Sequence, residues 1–133
     1  TQPIMLRLQS DLVELCLAAL KGDLHNTTAN WDPRASVGVV LAAGGYPEAY
    51  DKGDIISGLP TQEVAGEKVF HAGTAEKDGN TVTNGGRVLC ATALGNSVQE
   101  AQQRAYQLAQ QISWKDMFYR KDIAYRAIAR EKN

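Results

Sequence analysis

The segment TNGGRVLCATALG, residues 83–95, contains the residue types and spacing best suited to hold a ligand. Its polar turn includes Asn84 and two adjacent glycines, Gly85 and Gly86, and it places Arg87 at the start of an apolar run. Arginine presents a planar fork of donors that suits a phosphate or a carboxylate, and the two glycine amides can add to the same anion site. A hairpin turn whose arginine caps a sheet edge explains the same spacing. On spacing alone, the hairpin turn is the preferred interpretation.

Elsewhere the sequence offers no self-sufficient catalytic or metal-binding site. His25 and His71 have no metal-ligand partner at short spacing, and neither a P-loop nor a nucleophile elbow is present. We therefore expect His25 to be a solvated loop residue and His71 to be a hydrogen-bonded strand residue. A second glycine pair, in AAGGYP at residues 42–47, is typical of a turn that needs positive φ angles.

The two cysteines, Cys16 and Cys90, lie in apolar runs far apart in sequence and belong to no metal or redox spacing. We expect both to be reduced core residues, as suits a cytoplasmic protein. No apolar run approaches the roughly 20 residues that cross a bilayer. The sequence therefore predicts a cytoplasmic location and no membrane partner.

The composition predicts one globular core without a strong overall charge. Of 133 residues, 44% are hydrophobic and 22% are charged, and the net charge is -1. Residues 114–133 hold six basic and three acidic residues, interleaved with aromatic ones, a mixture that also occurs in nucleic-acid sites. Because Ile123, Ala127 and Ile128 can form an apolar helical stripe, we prefer a docked amphipathic tail and expect no nucleic-acid partner.

Two helices and a strand are predicted in the first third of the chain. Thr1 can cap a short helix. Ser10 or Asp11 can begin a second helix that ends near Lys21, and Asp11 and Glu14 have capping-box spacing. Residues 25–33 have the composition of a polar connector. The β-branched apolar run at residues 35–43 has the length of a strand.

Short strands and tight turns are predicted in the middle of the chain, before a final helix. Candidate strands are residues 54–57, 68–74 and 87–94. Asp78-Gly79 is typical of a hairpin turn between the last two strands or beside a short intervening strand. Ser97 and Glu100 have capping-box spacing and begin a helix whose apolar face consists of Val98, Ala101, Ala105, Leu108 and Ile112. This order predicts an α+β fold, a small, mostly antiparallel sheet covered by helices.

Four longer runs are more specific together than any single motif. They are TQPIMLRLQSDLVEL from Thr1, SVGVVLAAGGYP from Ser36, KVFHAGT from Lys68 and TNGGRVLCATALG from Thr83. In this order and spacing they resemble the C-terminal region of phosphoribosylamine-glycine ligases, as does RKDIAYRAI from Arg120. The resemblance covers essentially the whole chain, which we therefore expect to be an excerpt of a longer polypeptide.

The resemblance implies the C-terminal domain of an ATP-grasp ligase of purine biosynthesis. In the implied reaction, ATP phosphorylates the carboxylate of glycine, and the amine of phosphoribosylamine attacks the acyl phosphate. The products are glycinamide ribonucleotide, ADP and phosphate. ATP and Mg²⁺ (or Mn²⁺) would be bound by upstream ATP-grasp domains of the same polypeptide. By this resemblance the excerpt alone has no catalytic residue, metal ligand or bound cofactor, and it should be inactive.

The resemblance also implies a domain division and a set of substrate-binding residues. Residues 1–22 would be the end of the ATP-grasp core, and residues 35–133 would form a substrate-cleft domain. Residues 23–34 would be the connector between them. Arg87 matches the position from which related enzymes grip the substrate phosphate. Neighbours that shape its turn are Asn84, Gly85 and Gly86, while Thr1 and Gln2 continue a loop facing the amine-bearing end of the substrate.

Two alternatives remain open. The domain is either a structural cap that contacts no ligand or an interaction module that grips a partner through its basic tail. Under the ligase hypothesis the Arg87 guanidinium faces the cleft between domains. Under the cap hypothesis it lies in solvent or in an internal salt bridge.

Overall fold

The computed structural model describes residues 1–132, and its first two elements are helices. Helix α1 is Gln2–Arg7 and helix α2 is Leu12–Leu20, followed by a 3₁₀ turn at Leu24–Asn26. The Asp11 carboxylate accepts hydrogen bonds from the Val13 and Glu14 amides at 2.7 and 3.3 Å. Of the two residues predicted to begin α2, Asp11 is therefore the cap. Thr1 directly precedes α1, but its side chain makes no cap hydrogen bond, so the predicted capping by this side chain is not observed.

Within residues 1–132, five strands form two antiparallel sheets. They are β1 (Ala35–Ala42), β2 (Glu67–His71), β3 (Thr74–Lys77), β4 (Asn80–Thr83) and β5 (Arg87–Gly95). Strand β5 lies at the centre of the larger sheet, in the order β1-β5-β2, and β3 pairs with β4 as a hairpin. Asp78 and Gly79, both at positive φ, form the hairpin turn. The predicted α+β fold with antiparallel sheets is confirmed.

Two predicted strands differ from the observed ones. Residues 54–57 form isolated bridges at Ile55 and Ser57 rather than a strand. The strand predicted at residues 68–74 ends at His71, because the amides of Ala72 and Gly73 both donate to the Val88 carbonyl at 3.0 Å. This shared acceptor interrupts the pairing with β5, and β3 begins anew at Thr74.

Helix α3 (Val98–Gln110) covers one face of the larger sheet. Ser97 accepts a hydrogen bond from the Glu100 amide at 3.1 Å, and the Glu100 carboxylate accepts one from the Asn96 amide at 2.7 Å, which confirms the capping box. The apolar face of α3 packs against alternating side chains of the strands. The shared core includes Val37, Val39, Leu41, Leu89, Ala91, Ala93, Ala101, Ala105 and Leu108.

The tail docks on α3 mainly through the segment before helix α4 (Tyr125–Glu131). Trp114 is buried, and Ile123 packs against the core. Gln102 Nε2 donates to the Ile123 carbonyl at 2.7 Å, which fixes the segment to α3. Ile123, Ala127 and Ile128 are all half-buried, and of the three Ile123 packs against the main core. The predicted docking is therefore confirmed at Ile123, which lies before α4 and not on a helical stripe with the other two.

Helix α2 projects from the rest of the chain. A backbone bridge between Leu8 and Trp31 closes the base of this excursion, and no residue of α2 is buried. Cys16 is exposed, so its predicted place in a core is wrong for this chain, whereas Cys90 is buried as predicted. An apolar run indicates that its side chains tend to be buried. It does not show whether residues of this chain bury them. Among residues 1–132, no helix has the length and apolar character to span a membrane.

Candidate functional site

A β-bulge determines which face of the sheet Arg87 occupies. Leu41 pairs with Leu89, but the next residue, Ala42, pairs with Arg87, so Val88 is an extra residue in β5. Val88 and Leu89 are adjacent, yet both are 0% exposed and belong to the core beneath α3. Because side chains otherwise alternate along a strand, the extra residue shifts Arg87 to the face opposite that core.

Helix α1 covers the same face. A Cβ added at Gly38 would lie 3.1 Å from the ring of Pro3 and 3.0 Å from the sulfur of Cys90, so α1 packs closely over β1 and β5. Gly38 is four residues from Ala42, the partner of Arg87, which corresponds to about 13 Å along a strand. The structure therefore places Thr1 and Gln2, at the start of α1, on the side of the sheet that Arg87 occupies.

The turn before Arg87 is held by backbone contacts. The Asn84 amide donates to the Gly73 carbonyl at 2.8 Å. A Cβ added at Gly73 would lie 2.9 Å from the Cα of Gly85 and 2.8 Å from the carbonyl oxygen of Arg87. A Cβ added at Gly85 would in turn lie 3.1 Å from the Cα of Gly73, so the two glycines together allow their backbone segments to approach each other.

Gly86 is required by an aromatic contact. A Cβ at this position would overlap the ring of Tyr46 and lie 3.0 Å from Cε1 of Tyr50. The Gly86 carbonyl accepts a hydrogen bond from the Ala43 amide at 2.9 Å. Internal packing thus explains both glycines without a ligand, and neither has a positive φ.

The Arg87 side chain is exposed, and within residues 1–132 its guanidinium makes no hydrogen bond or ion pair. Most other arginines of this part of the chain do have a partner: Arg7, Arg34, Arg104, Arg120 and Arg126. A guanidinium with free donors can bind a phosphate in a bidentate manner without first breaking an internal bond.

Asp32 is the centre of an ionic cluster that joins α1 to the start of β1. It is 8% exposed and accepts Arg34 Nη2 at 2.7 Å and Arg34 Nε at 3.0 Å. These hydrogen bonds, with the Arg34 amide, lower the pKa of Asp32 to about 2. Arg7 Nε donates to the Asp32 carbonyl at 2.9 Å. Since its lone pairs are committed to Arg34, this carboxylate has a structural role.

The remaining sequence candidates do not form a reactive centre. His71 Nδ1 lies 2.9 Å from the Thr74 hydroxyl, which confirms a hydrogen-bonded strand residue, and His25 is exposed as predicted. Burial raises the pKa of the Cys90 thiol, which disfavours the nucleophilic thiolate. Over residues 1–132, no group of three or more His, Cys, Asp or Glu side chains is arranged to hold a metal ion.

Comparison with known proteins identifies the family. The model of the family described as "Phosphoribosylglycinamide synthetase, C domain" matches residues 36–126. The chain belongs to this family. It is 72% identical over 132 residues to the phosphoribosylamine-glycine ligase of Vibrio vulnificus strain CMCP6, covering 99% of the chain and 31% of that relative. It is 65% identical over 134 residues to the phosphoribosylamine-glycine ligase of Escherichia coli strain K12, covering 100% of the chain and 31% of that relative.

A solved structure supports the same assignment. The chain aligns with the crystal structure of phosphoribosylamine-glycine ligase from Thermotoga maritima with a TM-score of 0.66 and 39% identity, covering 82% of the chain and 27% of that protein. The C-domain family named by the resemblance is therefore confirmed. The chain spans about a third of the length of the curated relatives it matches.

Sequence reasoning did not find the residues that support the Arg87 turn. The turn predicted at residues 42–47 exists, with Gly45 at a φ of +88°. Its contact with Gly86, through Tyr46 and Ala43, joins segments about 40 residues apart and has no local signal. Gly73 is a similar case, because the atoms that leave no room for a side chain there belong to Gly85 and Arg87, in another segment of the chain.

Proposed function

We propose that the chain is the C-terminal part of an ATP-dependent ligase that joins glycine to 5-phosphoribosylamine in purine biosynthesis. The products are glycinamide ribonucleotide, ADP and phosphate. The observation that carries the proposal is the 72% identity to a phosphoribosylamine-glycine ligase across 99% of the chain. The proposed location is the cytoplasm.

In this proposal Arg87 binds the 5′-phosphate of the phosphoribosyl group. The bulge at Val88 supports the assignment because it directs Arg87 away from the core. The exposed guanidinium supports it because its donors have no partner within residues 1–132. Residues proposed to complete the substrate site are Asn84, Gly85, Gly86, Thr1 and Gln2.

We further propose that the upstream ATP-grasp domains of the same polypeptide cover α2. Apolar side chains that α2 leaves exposed are Leu12, Val13, Leu17 and Leu20. The relatives are about three times as long as the chain, so each has enough additional polypeptide to cover this helix. In the proposed division, residues 1–22 end the ATP-grasp core, residues 23–34 connect, and residues 35–133 form the substrate-cleft domain. Helix α1 packs on the sheet of that last domain and would thus join the two.

ATP and Mg²⁺ (or Mn²⁺) are assigned to the upstream domains. Within residues 1–132, no group of three or more His, Cys, Asp or Glu side chains is placed to hold a metal ion. The proposal assigns no phosphoryl-transfer step to this chain. Its own contribution would be to bind the substrate phosphate and fix its position relative to the reacting groups.

A structural cap that contacts no ligand is the alternative. The observation in its favour is that contacts with Gly73 and Tyr46 already explain Gly85 and Gly86. An interaction module with a basic tail has less support, because Trp114 is buried and Arg120 is paired with Asp122 at 2.8 Å.

The ligase activity is tested with the full-length polypeptide. Formation of ADP should require both glycine and phosphoribosylamine, and mass spectrometry should detect glycinamide ribonucleotide. Omission of either substrate is the control. ADP formation that is independent of glycine, or the absence of the amide product, would contradict the proposal.

A further inference from the structure

The turn that presents Arg87 rests on an aromatic ring from a distant segment. The ring of Tyr46 meets the Cα of Gly86 so closely that a methyl group there would overlap Cδ2 and Cε2. Tyr50 approaches the same glycine with one ring atom, at 3.0 Å from the position of an added Cβ. The two rings lie 6.2 Å apart between centroids with an interplanar angle of 58°, and they form one support beneath Gly86.

The loop that carries Tyr46 is firmly attached to this turn. The Ala43 amide donates to the Gly86 carbonyl at 2.9 Å, and the Tyr46 amide donates to the Ala43 carbonyl at 3.1 Å. Gly45 has a φ of +88°, and a side chain there would overlap the carbonyl oxygen of Ala49. The loop thus makes two contacts with Gly86: Ala43 hydrogen-bonds to its carbonyl oxygen, and the ring of Tyr46 packs against its Cα.

We propose that Tyr46 is a positioning residue for phosphate binding by Arg87, an inference that rests on the proposed function. Arg87 directly follows Gly86, so a shift of this glycine displaces the origin of the Arg87 side chain. Bidentate binding of a phosphate depends on the angle of the guanidinium plane. Small displacements of the residues that hold the arginine in place therefore weaken the binding. Tyr46 fixes that angle through the position of Gly86 and does not touch the substrate.

Tyr46 is a better probe than Tyr50. Tyr50 also packs against the main hydrophobic core, so its removal would reduce stability as well. Tyr46 is half-buried and makes the closer contact with Gly86. A matched control is Tyr125→Ala, because Tyr125 is 52% exposed and belongs to α4, a helix that contacts α3.

The test is steady-state kinetics of the full-length ligase with Tyr46→Ala, Tyr46→Leu and Tyr46→Phe. The Ala and Leu variants remove the flat ring and should raise KM for phosphoribosylamine about tenfold, with kcat and KM for ATP unchanged. Tyr46→Phe keeps the ring and should behave like the parent enzyme. Tyr125→Ala should leave all constants unchanged. Melting temperatures show whether each variant is folded. If Tyr46→Ala is unstable, the kinetic comparison is made with Tyr46→Leu.

A double-mutant cycle with Arg87→Ala separates positioning from a general structural role. If Tyr46 acts through Arg87, Tyr46→Leu should add less than about twofold to KM in the Arg87→Ala background. An undiminished effect in that background, or a Tyr46→Phe enzyme as defective as Tyr46→Leu, would overturn the inference. An unchanged KM in Tyr46→Leu, when Arg87→Ala raises KM, would overturn the inference and leave the proposed function intact. An unchanged KM in Arg87→Ala itself would overturn both.

Discussion

Replacement of Arg87 by alanine in the full-length ligase should weaken the binding of phosphoribosylamine and little else. The Arg87 guanidinium is exposed and makes no hydrogen bond or ion pair within residues 1–132, so the variant should melt at the parent temperature. A hydrogen bond to a charged group contributes about 1.5–3 kcal/mol, which corresponds to a loss of affinity of roughly ten- to a hundredfold.

The loss should appear in KM for phosphoribosylamine rather than in kcat. The 5′-phosphate is remote from the reacting amine, so it is held similarly in the ground state and in the transition state. KM for ATP should not change. Arg87→Lys should recover part of the affinity, because a point charge replaces a planar fork of donors.

The assay is steady-state kinetics with varied phosphoribosylamine at saturating ATP and glycine. Arg130→Ala is the matched control, because Arg130 belongs to the tail helix α4 and, within residues 1–132, also has no hydrogen-bond or ion-pair partner. If the Arg87→Ala enzyme keeps the parent KM for phosphoribosylamine, the assignment of Arg87 is refuted and the structural-cap hypothesis becomes the better explanation.

Three further outcomes are expected. Asp32 has its pKa lowered to about 2 from 3.8. Its ionised form therefore adds stability that is complete above pH 4 and is lost as the pH falls through 2, and urea unfolding should show this pH dependence in the parent but not in Asp32→Asn. The isolated chain should bind neither ATP nor Mg²⁺, and micromolar binding by calorimetry would contradict this expectation. Leu17→Lys, on exposed α2, should leave the urea midpoint of the isolated chain unchanged but lower that of the full-length protein, and equal effects in both would argue against α2 as a docking surface.

Several elements were predictable because their signals are local. Asp11 and Ser97 cap helices through their own side chains, and the Asp78-Gly79 turn needs only residues that tolerate positive φ. The apolar face of α3 follows from helical periodicity and is buried as predicted. Such features depend on neighbours within a few residues, so one sequence suffices to recognise them.

Other features depend on contacts between distant segments, and sequence reasoning missed them. The strand predicted at residues 68–74 is divided because Ala72 and Gly73 share the Val88 carbonyl. Cys16 lies in an apolar run like that of Cys90, yet only Cys90 is covered by the described part of the chain. Hydrophobicity measures the tendency of a side chain to leave water, and the rest of the fold determines whether a partner is present.

The candidate site shows the same division. The sequence by itself determined the α+β class and the approximate limits of α2, β1, β5 and α3, and it singled out Arg87 as a candidate anion-binding residue. These inferences follow from periodicity, caps and residue chemistry. Only the tertiary structure decided that an extra residue at Val88 directs Arg87 away from the core and that Tyr46 supports Gly86. A bulge and a ring-to-backbone contact are properties of paired segments. Their energies depend on which segments meet, and that is settled only when the chain is folded.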